Sequence, residues 1–330
     1  MNKKLTEYSI GSDSGIRLSC LNYGGVLKSL SLPVNGERIE TLLGYQSAQQ
    51  YLQDKFYLGA VIGRYSNRIA NAQFSQNGKT YQLEANDGNN NLHGGSHGLH
   101  QKYWKLDQAT ENAITLKCES PDGEGGFPGN VKFTLRYQIA SATVTIDLFA
   151  ETDQETPINL TGHAYFNLNR ENHQSIENHQ LAVYSDSLLV TQRDGIPTGE
   201  MKPVDATDFD FRKLKTLDWL RDSKELMIQQ QLGLDHNFVF AKKTASSGSV
   251  KVATLYSPQT HIELTVSSNM PGLQVYSGNH LTTPFSPHQG ICLEPQYYPD
   301  SPNHSDFPSC LVKPGDVYHH QIKYHFNLKG

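Results

Sequence analysis

The sequence is poor in the features of secreted, membrane-spanning and nucleic-acid-binding proteins. Only four of its 330 residues are cysteines, and none lies in a CxxC pair, so we predict no disulfide framework and no cysteine-ligated zinc. No apolar run approaches the roughly 18 residues that a membrane-spanning helix needs. The amino-terminal segment has no apolar stretch after its lysines and does not read as a signal peptide. We therefore expect a cytoplasmic protein with reduced thiols.

Basic residues are also few. Lysine and arginine number 28 against 33 aspartates and glutamates, which gives a net charge of −5. This balance does not favour a nucleic acid or an anionic membrane as a partner. The chain is longer than a usual domain, but all-β folds of more than about 200 residues often form one domain. We predict a single domain over residues 1–330, acting as a monomer or a weak homodimer.

Helical periodicity is scarce, and a period of two residues dominates. Apolar or aromatic side chains occupy every second position in four segments, 131–139, 144–148, 262–266 and 318–326. This alternation is typical of half-buried antiparallel strands. Asn77-Gly78 is typical of a type I′ hairpin turn between strands. The sequence therefore predicts an all-β, large antiparallel β-sandwich with less than about 15% helix.

Three shorter segments give weaker indications of local structure. Leucines at every third position, Leu214, Leu217 and Leu220, indicate a short helix, and residues 47–54 suit a short helical turn. Residues 242–249 have the sequence KKTASSGS. We predict a flexible loop there, and not a domain boundary, because the strand pattern resumes directly afterwards.

Residues 63–70 are unusually polar for a β-rich chain. This loop-like segment contains Arg64, Asn67 and Arg68. The forked guanidinium of arginine suits hydroxyl groups or carboxylates. A surface loop held by salt bridges is the alternative interpretation.

Residues 91–100 combine three histidines with paired glycines. His93, His97 and His100 lie within eight positions, and the glycines allow the backbone to approach a ligand closely. No HExxH pattern accompanies the histidines, so we predict no metal site. We expect one of them at most to contact a ligand.

Two strand-like segments each hold a residue suited to acid–base chemistry. His163 lies among polar residues of the same parity, which indicates a strand face directed toward a wet cleft. Imidazole suits proton transfer near neutral pH, although a buried structural histidine is the alternative. Glu294 ends an apolar strand, where burial would raise its pKa and hydrogen bonds would lower it. Cys292 is interpreted as a small strand residue, with a reactive role as the alternative.

In these segments the sequence resembles the galactose mutarotase, or aldose 1-epimerase, family. Nine stretches occur in the family's order: GRYSNRIANAQF, NLHGG, GFPGN, LTGHAYFNL, PTGE, FDFR, GLDHNFV, MPGLQVYSGNHL and CLEPQYYPDSPNH. The resemblance implies a galactose mutarotase-like supersandwich with its site in an open cleft. It also implies an enzyme that interconverts the α and β anomers of free hexoses such as galactose and glucose, without a cofactor.

The resemblance assigns roles to the matching positions. It implies that Glu294 is the general base and His163 the general acid. It further implies a set of side chains that hold the sugar or line the cleft: Asn67, Arg68, His93, Tyr165, Asp235 and Gln274. Gly162 and Ala164 stand where family members often carry Asn and Ser, which leaves the preferred sugar open.

The chemistry fits these residue types. Opening a hemiacetal ring takes a proton from the C1 hydroxyl and gives one to the ring oxygen. A carboxylate and an imidazolium supply both steps without a metal or a redox cofactor. Two alternatives remain open: Asp235 and Glu294 as the carboxylate pair of a glycoside hydrolase, or a non-catalytic sugar-binding module. A hexose-6-phosphate mutarotase would need a cationic phosphate pocket in addition.

Overall fold

The computed structural model describes residues 4–171, 173–240 and 248–329. Most of the loop predicted at 242–249 lies outside these residues. Strands account for 45% of the structure and helices for 9%, which confirms the all-β prediction. None of the helices in the described ranges is long and apolar enough to cross a membrane.

The described strands are numbered here in chain order. The first nine are β1 Glu7–Gly11, β2 Arg17–Leu21, β3 Leu27–Val34, β4 Glu37–Glu40, β5 Val61–Ile62, β6 Arg68–Ile69, β7 Gln73–Gln76, β8 Lys79–Gln82 and β9 Asn91–Leu92. The next nine are β10 Lys105–Ala109, β11 Ala113–Ser120, β12 Val131–Ala140, β13 Thr143–Thr152, β14 Thr156–Pro157, β15 Thr161–Gly162, β16 Tyr165–Phe166, β17 Gln180–Val183 and β18 Ser187–Thr191. The last nine are β19 Pro197–Pro203, β20 Lys215–Thr216, β21 Asp235–Val239, β22 Val250–Tyr256, β23 Ile262–Ser268, β24 Gly272–Tyr276, β25 Ile291–Gln296, β26 Leu311–Val312 and β27 Tyr318–Leu328.

Helices in the described ranges are short. The α-helix α1 spans Leu226–Gln231. The 3-10 helices span Ala48–Gln53, Ala70–Ala72, Gly95–His97, Leu99–Gln101, Glu124–Gly126, Leu220–Asp222 and Ser301–Asn303. The first of them confirms the helical turn predicted at 47–54.

Two large antiparallel sheets form the body of the fold. The first has nine strands in the order β10-β11-β12-β13-β27-β23-β22-β17-β20, and the second has six in the order β16-β25-β24-β21-β18-β19. Alternate residues of both sheets enter one core. For example, the rings of Phe166 on β16 and Tyr324 on β27 meet with centroids 5.0 Å apart. This arrangement confirms the predicted antiparallel sandwich.

The alternation predicted from sequence is visible in the burial of the long strands. Along Val131–Ala140 buried positions alternate with exposed or half-buried ones. The predicted hairpin is also confirmed, since β7 and β8 pair around Asn77 and Gly78. Both turn residues have positive φ, 52° and 74°, as a type I′ turn requires.

The helix suggested by the leucine spacing at 214–220 is wrong. Lys215 and Thr216 instead form β20, which pairs with β17 at the edge of the nine-stranded sheet. Leu217 and Leu220 are buried whereas Leu214 is exposed. Sheet pairing and core packing therefore override the spacing of three, and the described α-helix lies further along the chain.

Candidate active site

One face of the six-stranded sheet carries two neighbouring rows of mostly polar side chains. The first row runs across four strands through Tyr165, Cys292, Tyr276 and Asp235, and the second runs across three through Glu294, Gln274 and Asn237. Successive residues of a strand point to opposite faces, so Ile291 and Leu293 of β25 enter the core. The period of two thus builds the core and the polar face from the same strands.

A cleft of about 250 Å³ lies over this face. Its lining contains every residue to which the sequence assigned a site role: Glu294, His163, Asn67, Arg68, His93, Tyr165, Asp235 and Gln274. These residues come from segments far apart in the chain, and the fold brings all eight together.

His163 is fixed in the cleft by its backbone. Its N–H donates to the carbonyl of Ala60, and its own carbonyl accepts from Gly59 N, both at 2.9 Å. Nε2 of the ring lies 3.8 Å from Oε1 of Glu294, and Nδ1 lies 3.5 Å from Sγ of Cys292. A Cβ at Gly162 would meet no atom within 4 Å, so this departure from the family pattern leaves open space beside the histidine.

Burial determines how the His163–Glu294 pair holds its protons. Only 4% and 2% of the two residues are exposed. Burial, followed by the negative charge of Asp235, raises the pKa of Glu294 well above its ordinary value. Burial also lowers the pKa of His163 to about 4, with a smaller effect from His100. Burial therefore favours a neutral pair, with one proton on Glu294, over the carboxylate–imidazolium pair expected from sequence.

His93 and Asn67 hold each other in place beside the paired strands β6 and β9. Asn67 N donates to Nδ1 of His93, and His93 N donates to the carbonyl of Asn67, both at 3.1 Å. Burial first, and then the nearby His163, lowers the pKa of His93 well below its ordinary value. Because Nδ1 of the neutral ring accepts a hydrogen bond, Nε2 carries the hydrogen and can donate to a ligand.

Arg68 lies between two carboxylates. Its Nε donates to Oδ2 of Asp87 at 2.8 Å, and Nη1 lies 4.0 Å from Oδ2 of Asp235. Burial alone would lower the pKa of Arg68, but Asp235 and Asp87 raise it above its ordinary value. Gly195 packs against the guanidinium, since a Cβ there would lie 2.8 Å from Nη1. Arg68 is thus a fixed cation with donors left for a ligand.

Arg64, from the same polar segment, has a different place. It is 3% exposed and donates to the backbone carbonyls of Ser120, Pro121 and Pro128 at 2.7–2.9 Å. These contacts hold two loops together away from the cleft, so Arg64 is structural.

Several cleft residues were not identified from sequence. They are Lys55, Phe56, Tyr57, Leu92, Tyr276 and His280. Tyr57 has a positive φ of 59°, and its ring contacts His93, His100 and His163 with centroids 4.7, 4.9 and 5.7 Å away. The aromatic pair Phe56-Tyr57 just before the GRYSN stretch was the available signal, but a left-handed tyrosine cannot be read from a sequence.

The histidines of 91–100 separate in space. His93 lines the cleft, His97 is exposed and His100 lies behind Tyr57. Within the described ranges, one group of side chains has metal-ligand geometry, and it consists of His163, Cys292 and Glu294 with ligand atoms within 4.8 Å of one another. Burial raises the pKa of the Cys292 thiol well above its ordinary value, which disfavours the thiolate that binds metals.

Comparison with known proteins places the chain in a family. The sequence profile of the aldose 1-epimerase family matches residues 6–325. Aldose 1-epimerase of Escherichia coli K12 is 34% identical over 96% of this chain and 94% of that protein, and human galactose mutarotase is 34% identical over 95% and 92%. The crystal structure of an aldose epimerase homologue from C. elegans matches with a TM-score of 0.91 and 27% identity, over 99% of this chain and 100% of that one. The chain therefore belongs to the aldose 1-epimerase family.

Proposed function

We propose that this protein is a cytoplasmic aldose 1-epimerase that interconverts the α and β anomers of free hexoses, with His163 and Glu294 as its acid and base. The observation that carries this proposal is the placement of Nε2 of His163 3.8 Å from Oε1 of Glu294 at the cleft. The two reacting oxygens of a cyclic sugar, O1 and the ring oxygen, are bonded to the same carbon. Two proton-transfer groups this close together can therefore serve both oxygens at once.

The reaction begins with the single proton that the pair shares. Sugar binding brings hydroxyl groups that donate to the carboxylate of Glu294, which favours moving the proton to Nε2 of His163. Glu294 then takes the proton of the C1 hydroxyl while His163 gives its proton to the ring oxygen, and the C1–ring oxygen bond breaks. The aldehyde turns about the C1–C2 bond, and the ring recloses with both transfers reversed. The pair recovers its original proton, so no other reactant is consumed.

The remaining polar residues hold the rest of the sugar. We assign Arg68 and Nε2–H of His93 as donors, Asp235 as an acceptor, and Asn67 and Gln274 as further partners for hydroxyl groups. The ring of Tyr165 packs beside His163, with centroids 5.1 Å apart, and limits where the sugar can lie. Such directional contacts suit a neutral sugar, because its hydroxyl groups are held by correctly placed donors and acceptors more than by net charge.

We further propose that the chain acts as one catalytic domain, as a monomer or a weak homodimer. This is supported by a cleft whose lining comes from residues as distant as Lys55 and Glu294. All four cysteines are buried and free, which agrees with a reducing compartment.

Polarimetry on freshly dissolved α-galactose and α-glucose tests the function. We expect the purified protein to accelerate the approach to the equilibrium rotation, whereas it should release no sugar from an aryl galactoside. Hydrolysis of the aryl galactoside would instead support the glycoside hydrolase alternative. Sugar binding without any acceleration would support a binding module.

A further inference from the structure

Gln274 lies between the two carboxyl groups of the cleft. Its strand, β24, pairs with β21 on one side and β25 on the other, and Gln274 is the direct cross-strand partner of Glu294. Nε2 of Gln274 donates to Oδ1 of Asp235 at 2.7 Å. A carboxylate can only accept hydrogen bonds, so Asp235 requires the NH₂ group of the amide to face it. The carbonyl end of the amide is left for the side of Glu294.

Two buried oxygens remain without a partner on that side. Neither Oε1 of Gln274 nor Oε2 of Glu294 forms a hydrogen bond to any described residue, and the two residues are only 4% and 2% exposed. Both oxygens are acceptors when Glu294 is ionised, so they cannot satisfy each other. Leaving a buried acceptor unpaired is destabilising, because the group has lost its hydrogen bonds to water. A proton on Oε2 would make that oxygen a donor, and a hydrogen bond to Oε1 of its cross-strand neighbour Gln274 would then satisfy both atoms.

We propose that Gln274 is a positioning residue that keeps the shared proton on Glu294 while the cleft is empty, with Asp235 fixing the direction of its amide. The inference rests on the proposed function, because it concerns the same acid–base pair. Gln274 acts here through Glu294, in addition to any contact that it makes with the sugar.

Sugar binding provides the way to release this restraint. A sugar hydroxyl that donates to Asp235 replaces the NH₂ group of Gln274, so the amide can turn and donate to Glu294 instead. The carboxyl group, no longer held through Oε2, then gives its proton to Nε2 of His163, which lies 3.8 Å from Oε1, and the negative charge left behind is stabilised by the turned amide. Only this proton moves, and no further reactant is needed.

Other groups near Glu294 do not supply this function. Asp235 acts on the charge of Glu294, and Arg68 lies 4.0 Å from Asp235. His163 lies beside Glu294, and the charge of Glu294 in turn acts on Cys292, Tyr165, Tyr276 and Tyr324. Burial raises the pKa of Cys292 and of the three tyrosines, so these four stay neutral in the working range. Asp235 is the group whose charge raises the pKa of Glu294, and Gln274 is the side chain that hydrogen-bonds to Asp235 while lying directly across from Glu294.

Gln274→Met tests the proposal, because it keeps the shape of the side chain and removes the amide. We expect the basic limb of the kcat/KM pH profile to move down by about one pH unit. Gln296→Met is the matched control. Gln296 is a buried amide two residues after Glu294 on the same face of β25, and its cross-strand partner is Gly272. It should leave the basic limb where it is.

Infrared difference spectra against Glu294→Gln give a readout that does not need activity. At neutral pH the wild-type protein should show the carbonyl band of a protonated, hydrogen-bonded carboxyl group. In Gln274→Met this band should weaken or move to a higher frequency. If Gln274→Met raises KM but shifts neither the basic limb nor the band, Gln274 only holds the sugar and the inference is wrong. A wild-type protein inactive in polarimetry would instead refute the proposed function, and the infrared band would still decide the place of the proton.

Discussion

Nε2 of His163 and Oε1 of Glu294 lie 3.8 Å apart, and both side chains are buried at the floor of the cleft. At this distance the two groups form one titrating unit whose pKa values belong to the pair. The unit holds one proton, and the low polarity of its surroundings places that proton on Glu294 in the empty enzyme. The pH dependence and the stability of the protein both follow from this arrangement.

The pH–rate profile should be bell-shaped with a wide plateau. On the acid side activity falls when the pair takes up a second proton, and burial lowers the pKa of His163 to about 4. On the basic side activity falls when the pair loses its only proton, and burial places the pKa of Glu294 well above its usual range. The plateau should therefore extend beyond both ordinary values, roughly 4.3 for Glu and 6.5 for His. A plateau confined between those two values in a kcat/KM profile would contradict the neutral pair.

Glu294→Gln should be more stable than the wild type at neutral and alkaline pH. A carboxyl group whose pKa rises on folding contributes stability below its unfolded pKa of about 4.3, and loses it as the pH rises through the folded pKa. The difference in free energy of unfolding should thus grow with pH by up to about 1.4 kcal/mol per unit. Urea denaturation at pH 4.5 and pH 8 measures it. The exposed Glu119→Gln on β11 is the control and should show no such trend; equal trends would mean that Glu294 is not the origin.

The sequence and the structure agree where a local pattern decides the outcome. The alternation at 131–139 predicted β12 because burying one face of a strand requires a period of two residues. Arg68, His93 and Gln274 could be named because ordered motifs carried them. The contacts that hold Arg68 in the cleft could not be predicted, because Asp87 and Gly195 approach it from remote segments of the chain. Likewise the place of the proton on Glu294 depends on burial and on cross-strand register, which a motif does not contain.

Arg68→Lys should raise KM about tenfold and change kcat less. The forked guanidinium contacts Asp87 and lies close to Asp235, and in the proposed function it also donates to the sugar; an ammonium group cannot reproduce that geometry. Loss of one charge-assisted hydrogen bond costs about 1.5–3 kcal/mol. Steady-state kinetics at the plateau pH give both constants. Arg64→Lys is the control, since Arg64 binds loop carbonyls away from the cleft. It should lower the melting temperature without raising KM. If Arg64→Lys raised KM and Arg68→Lys did not, Arg64 and not Arg68 would be the residue that binds the sugar.

Activity should survive exhaustive chelation. Protons alone are exchanged in the proposed reaction, and the thiol of Cys292 stays protonated because burial raises its pKa. The rate after treatment with EDTA and dialysis should match that of untreated enzyme. Loss of activity that zinc restores would show that His163, Cys292 and Glu294 hold a working metal.

The most direct test of the account is the rate of α-galactose mutarotation by Glu294→Gln and His163→Asn, measured by polarimetry at the plateau pH with folding checked by circular dichroism. We predict that each substitution lowers kcat by about 10²–10⁴-fold. The double variant should be hardly slower than the slower single variant, because the two groups act in one proton exchange. A folded Glu294→Gln with near-normal kcat would contradict the mechanism and make Asp235 the next candidate for the base.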